Sequence, residues 1–159
     1  TIFGYQVKDP ERFGIVELDS NHHILSIEEK PSLPKSDFAI TGLYFYPQGV
    51  SEYAKTVMPS KRGEIEITTL NDIYLQNNRL KAELLGGCFT WFDTGTDESL
   101  YDSISMIRSI QKNKDKVICC PEEIAYNISW IDAEKLEERA NLMSKNNYGK
   151  HLKKVLTRK

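Results

Sequence analysis

An α/β fold is predicted for this chain of 159 residues, with a mixed α/β portion to about residue 120 and a helical tail over 121–159. Three observations carry the prediction. Short β-rich runs bounded by Gly, Pro, Asn and Asp fill the first third. From Val50 the apolar spacing turns helical, with strand-like runs between the helices. After Pro121 only helical spacing remains.

The elements follow in order. Thr1 to Val7 (TIFGYQV) reads as a strand that Asp9-Pro10 breaks. Phe13 to Asp19 and Ile24 to Glu29 alternate around Ser20-Asn21-His22-His23, which predicts a β-hairpin with the two histidines exposed in its turn. Lys30 to Ser36 holds two prolines and is an extended loop. Ala39 to Tyr46 is apolar enough to be a strand buried on both faces, ended by Pro47. Val50, Tyr53, Ala54 and Val57 make a short helix closed by Pro59. Ile65 to Asn77 predicts a second helix, with Ile67, Leu70, Ile73 and Tyr74 on its inner face. Leu80 to Leu85 and Phe89 to Phe92 read as short strands parted by Gly86-Gly87.

Thr96 is a good N-cap, and Asp97 and Glu98 follow in the first turn, where carboxylates oppose the helix dipole favourably. The helix it opens should turn Leu100, Ile104, Ile107 and Ile110 inward and end among Lys112, Asn113 and Lys114. Val117 to Cys120 could be one more strand. Pro121, Glu122 and Glu123 suit a helix start. Asp132 should cap a helix with Leu136, Ala140 and Met143 inside. A last helix places Tyr148, Leu152, Val155 and Leu156 inside and Lys150, Lys153, Lys154, Arg158 and Lys159 outside.

Composition limits the function. Twenty-one basic against twenty-three acidic side chains leave a net charge of −2, so nothing in the overall charge favours nucleic acid or an anionic membrane. No apolar run approaches the roughly 20 residues of a bilayer span. Cys88, Cys119 and Cys120 cannot all pair and lack zinc-type spacing, so reduced thiols in a cytoplasmic protein are expected. There is no repeat and no glycine-rich phosphate loop.

Three segments could carry chemistry. Glu28-Glu29-Lys30-Pro31 ends a strand at a loop, a place where side chains are presented rigidly to ligands, although a solvated charge run would look the same. Lys61-Arg62-Gly63-Glu64 could bind phosphate through the guanidinium fork, or be an exposed helix entry. Trp91-Phe92-Asp93-Thr94-Gly95-Thr96 would hold Asp93 in place and partly screened from water, as a magnesium ligand or as the acceptor of an Asx-turn.

In their order these segments resemble the sugar nucleotidyltransferases. The set comprises Asp9 to Gly14, Glu28 to Pro31, Ala39 to Tyr46, Arg62 to Thr68, Trp91 to Thr96, Cys120 to Ala125 and Tyr148-Gly149, and it runs nearly the whole chain. The likeness is greatest to members that transfer a thymidylyl group. It implies the C-terminal part of a Rossmann-like mixed sheet with a helical tail for packing or oligomerisation. It also implies the reaction of dTTP with glucose 1-phosphate to give dTDP-glucose and pyrophosphate, needing Mg²⁺ and feeding deoxysugar synthesis of the dTDP-rhamnose type.

By the family pattern Gly14 and Glu29 line the sugar pocket beside the Phe13 ring and the backbone at Ile40. Lys30 and Arg62 face the sugar phosphate, and Asp93 is one of two metal aspartates. Gly86, Glu123 and Ile124 fall at a regulatory nucleotide site, where Gly87 and Asn127 replace common arginines. A homo-oligomer is implied. The family's glycine-rich loop and second metal aspartate are not in this sequence, so a chain inactive by itself is expected. Two alternatives stand beside this reading. One is a non-catalytic assembly or regulatory module, and the other is a uridylyl or cytidylyl transferase.

Overall fold

The computed structural model describes residues 1–114 and 117–158, so the expectation for Lys159 lies outside the described residues. The chain divides into two compact units, Thr1–Trp91 and Phe92–Lys159.

The first unit is built on a mixed sheet of five strands: β1 (Ile2–Gln6), β2 (Gly14–Leu18), β3 (Ile24–Glu29), β4 (Phe38–Tyr44) and β5 (Ala82–Leu84). Their spatial order is β3-β2-β4-β1-β5. β1 pairs antiparallel with β4 and parallel with β5, while β2 pairs antiparallel with both β3 and β4. The β2–β3 hairpin forms because Asp19 organises its turn. Its Oδ1 accepts from the Asn21 and His23 backbone N–H groups, each at 2.8 Å. Both histidines of the turn are exposed, as expected.

Ile2, Val16 and Ile40 form the buried centre of the sheet, with Leu18, Ile27, Phe38 and Leu80 packed around them. A second cluster of Val57, Leu70 and Tyr74 joins the short helix α1 (Val50–Ala54) to α2 (Ile67–Gln76).

Several expectations are corrected here. β4 is buried continuously only over Ala39, Ile40 and Thr41, whereas Leu43 and Phe45 are exposed. The inner face of α2 carries Thr68, Leu70, Asn71 and Tyr74, while Ile67 is exposed. Two polar residues take inner positions because each has a partner there: Thr68 bonds Glu29 and Asn71 bonds Tyr46. Phe89 to Phe92 is not a strand. A turn in which Phe89 N–H donates to Gly86 O at 3.0 Å redirects the chain, and Trp91 packs on Tyr5 and Phe13 instead.

The second unit is helical: α3 (Asp97–Lys114), α4 (Pro121–Asn127), α5 (Ala133–Leu142) and α6 (Asn147–Thr157). Thr96 caps α3 as expected, its Oγ1 accepting from Ser99 N–H at 3.2 Å. Asp132 caps α5 through Lys135 N–H at 2.8 Å. Cys120, Leu136, Ala140, Leu152 and Val155 make the core, with Tyr148 and Leu156 against it.

Gly149 lets α6 approach the end of α5 closely, because a Cβ there would lie 2.1 Å from the Met143 carbonyl oxygen. The face expected to turn inward on α3 does not. Leu100, Ile104 and Ile107 are exposed, and Ser103 is the buried residue of that stretch. Helical spacing marks an apolar stripe but does not say what covers it. Val117 to Cys120 is not a strand either, since Cys119 takes a left-handed φ of 62° and Gln111 holds the Ile118 N–H.

Candidate functional site

The end of β3 gathers a polar site in the first unit. Alternation along the strand leaves Glu28 exposed and turns Glu29 to the other face, half-buried. β3 stops there because Lys30 adopts a left-handed φ of 44° and Pro31 follows. Such a backbone at a non-Gly residue costs of order 1 kcal/mol and persists only where its surroundings fix it. The fixing contact is the Lys30 N–H, which donates to Phe13 O at 2.9 Å. The Lys30 side chain is exposed.

Gly14 stands opposite Glu29 in the ladder. A Cβ at Gly14 would lie 3.0 Å from Glu29 Oε2, 3.0 Å from Thr68 Oγ1 and 3.9 Å from Ile40 Cδ1. The bare backbone therefore lets a carboxylate, a hydroxyl and an apolar side chain converge on one point. The Thr68 hydroxyl donates to Glu29 Oε2. Arg62 Nη1 lies 3.9 Å from Glu29 Oε1 and 3.6 Å from Glu66, and its Nη2 donates to Glu64 at 2.9 Å. Burial, and after it the Glu29 charge, holds the Tyr44 phenol above its ordinary pKa. The Phe13 ring meets Trp91 edge-on at 5.1 Å, with the Arg12 guanidinium also 5.1 Å from its centroid.

A carboxylate with one oxygen already bonded accepts hydroxyl hydrogens in a fixed direction. A guanidinium nearby, held by partly exposed carboxylates in weak surface pairs, is free to exchange them for a phosphate. The structure thus brings Gly14, Glu29, Ile40 and Arg62 together, with Phe13 and Lys30 joined through their backbones. Helical spacing does not reveal Thr68, a polar residue between the apolar positions that mark α2, and only its bond to Glu29 places it in the site.

A family profile described as Nucleotidyl transferase matches residues 1–109. The chain belongs to the nucleotidyl transferase family. Within it, the chain is 51% identical over 156 residues to the glucose-1-phosphate thymidylyltransferase of Neisseria meningitidis serogroup A, covering 98% of this chain and 54% of that protein. It is 42% identical over 157 residues to the Mycobacterium tuberculosis enzyme of the same name, covering 99% and 54%. A crystal structure from Bacillus anthracis, described as a glucose-1-phosphate thymidylyltransferase in complex with sucrose, matches at 42% identity with a TM-score of 0.58. That match covers 66% of this chain and 42% of the other. The chain spans about half the length of these relatives, and it matches their C-terminal half.

The other family positions are spread over both units. Asp93, in the second unit, is exposed rather than partly screened from water, because Phe89 to Phe92 form no strand to shelter it. Its carboxylate folds back over Gly95, where a Cβ would lie 3.2 Å from Oδ2. One exposed hard carboxylate fits magnesium, which takes one or two such ligands and keeps waters and substrate phosphates for the rest. Gly86 lies in the turn after β5. Ile124 is exposed on α4, and Glu123 beside it bonds His151 at 2.6 Å and Arg158 at 3.2 Å. Among the described residues no helix is long and apolar enough to cross a membrane.

Proposed function

We propose that this chain supplies the sugar-phosphate side of a thymidylyltransferase that converts dTTP and glucose 1-phosphate to dTDP-glucose and pyrophosphate. The observation that carries the reading is the convergence of Glu29 and Thr68 on the bare backbone of Gly14, with Arg62 Nη1 3.9 Å from the same carboxylate. The 51% identity to a meningococcal protein of that name supports the choice of substrates.

The attack of a sugar phosphate on a nucleoside triphosphate brings two anions together, so alignment and charge neutralisation matter more than a base. Glu29 would accept the sugar hydroxyl hydrogens, with the Thr68 bond fixing the carboxylate plane. The Ile40 side chain and the Phe13 ring would form apolar walls. Arg62 would leave Glu64 for the sugar phosphate, and Lys30, exposed next to Glu29 in sequence, would add a second positive charge. Asp93 would hold Mg²⁺, which when bound neutralises phosphate charge. The product is a nucleotide-activated sugar, and synthesis of deoxysugars such as dTDP-rhamnose is its expected destination.

The test combines this chain with the N-terminal segment of the meningococcal relative that it does not match. Pyrophosphate release is then followed with dTTP and glucose 1-phosphate. Turnover in the combined enzyme, lost in Glu29→Ala through a weaker glucose 1-phosphate term, is the expected result. Preference for UTP or CTP over dTTP would transfer the chain to another nucleotide class. A folded complex without turnover on any of the three would reject the reading.

A further inference from the structure

We propose that the helical unit contains a divalent transition-metal site formed by Cys120, Glu123 and His151, with zinc as the ion it suits best. The three ligand atoms lie within 4.8 Å of one another. Cys120 and His151 are buried at 3% and 6% exposure. This site is independent of the sugar-phosphate site in the first unit.

The fold builds the cluster from two helices. Cys120 immediately precedes α4 and Glu123 lies in its first turn, so the two sit on one side of that helix. α6 carries His151 inward between Gly149 and Leu152, all of them buried. Close approach of α6 at Gly149 is therefore part of what delivers the imidazole. Spacing did not reveal the set, since His151 is 28 positions from Glu123.

The donor set selects the metal. A thiolate, an imidazole and one carboxylate oxygen suit zinc or a neighbouring transition ion, whereas magnesium and calcium require oxygen ligands. Zinc takes such ligands at about 2.0–2.3 Å, which leaves a fourth tetrahedral position to water. At present His151 Nε2 and Glu123 Oε2 share a hydrogen bond of 2.6 Å. Two ligands each about 2.0–2.1 Å from a tetrahedral ion stand about 3.3 Å apart, so the pair would open by under 1 Å. The thiol proton leaves to solvent, and the Nε2 proton leaves or passes to Nδ1. Arg158 donates to Glu123 Oε1 at 3.2 Å, so Glu123 would bind through Oε2 alone with its other oxygen held.

Charge around the cluster works against casual cation uptake. His151 also lines a cavity of about 510 Å³ with Arg108, Lys112, Lys150 and Lys154. Affinity must therefore come from direct coordination, and a site of that kind depends sharply on each ligand.

The chain is titrated with Zn²⁺ by calorimetry, and Co²⁺ is used as a spectroscopic reporter of thiolate coordination. One ion per chain is expected, with a thiolate-to-cobalt charge-transfer band. Cys120→Ser and His151→Gln should each weaken zinc at least about tenfold. The Cys88→Ser/Cys119→Ser double variant should keep both the affinity and the band. Circular dichroism checks the fold; if His151→Gln fails to fold, Cys120→Ser and the cobalt band decide. No uptake by the parent chain, unchanged affinity in Cys120→Ser, or a band that disappears with Cys88 and Cys119 would each overturn the site.

Discussion

Thr68 donates its hydroxyl hydrogen to Glu29 across 39 positions of sequence, tying the first turn of α2 to the last residue of β3. The bond occupies Oε2 and leaves Oε1 beside Arg62, at 3.9 Å. One buried hydroxyl thereby sets the orientation of the carboxylate on which sugar recognition is proposed to depend.

Thr68→Val keeps the shape of the side chain and removes that bond. Hydrogen bonds to charged groups contribute about 1.5–3 kcal/mol. The KM for glucose 1-phosphate in the combined enzyme should rise about tenfold while that for dTTP stays near its parent value. Steady-state kinetics with each substrate varied in turn is the measurement. An equal rise in both KM values would mean that Thr68 supports the fold rather than the sugar pocket.

The sequence made this site legible in part. Glu29 and Gly14 face each other because strand alternation and a Pro-rich stop leave few choices for the end of β3, and Arg62 comes within 3.9 Å of Glu29. Thr68 escaped, since a helix read by its apolar residues points to Ile67, and only the tertiary partner makes a polar neighbour the inward one. The β2–β3 hairpin followed from alternation and turn residues, whereas the place of β4 between β2 and β1 did not. The exposure of Leu100, Ile104 and Ile107 on α3 did not follow, because amphipathic spacing is a property of the helix alone. The failed strand at Val117 to Cys120 turned on a single left-handed residue, Cys119, which its residue type does not announce.

Gly149→Ala should destabilise the helical unit severely. Its Cβ would meet the Met143 carbonyl carbon at 2.4 Å and oxygen at 2.1 Å, and both are backbone atoms that cannot swing aside. Overpacking of this kind costs about 1–3 kcal/mol or more. Urea unfolding of the chain followed by Trp130 fluorescence reads the loss. A change under about 0.5 kcal/mol would show that the end of α5 yields without cost.

Asp93→Asn tests the proposed metal ligand. The amide has nearly the shape of the carboxylate but lacks its charge, so the exposed turn at Gly95 should persist. In the combined enzyme kcat should fall by about 10²-fold or more. The KM for glucose 1-phosphate should change little, because sugar binding is proposed for the first unit. Near-parental kcat at saturating Mg²⁺ would remove Asp93 from the metal site.

Alkaline pH should weaken the first unit through Tyr46. Burial, and after it the neighbouring Tyr44 and Tyr74, raises its phenol from 10.0 to about 12. Its hydroxyl donates to Asn71 Oδ1 at 2.5 Å, and Asn71 is fully buried. The unfolded chain releases this proton near pH 10, while the folded chain holds it to about 12. Ionisation therefore favours unfolding, and the stabilisation is complete below pH 10 and lost as pH rises through about 12. Tyr46→Phe should lower stability at neutral pH by about 1–2 kcal/mol, because it leaves the Asn71 carbonyl oxygen unpaired. The same variant should flatten part of the alkaline decline, with Tyr44 accounting for a further share. Denaturant unfolding in a Trp130→Phe background, where Trp91 reports on the first unit, separates the two effects. An alkaline decline of unchanged steepness in Tyr46→Phe would show that this phenol does not titrate in the unfolding equilibrium.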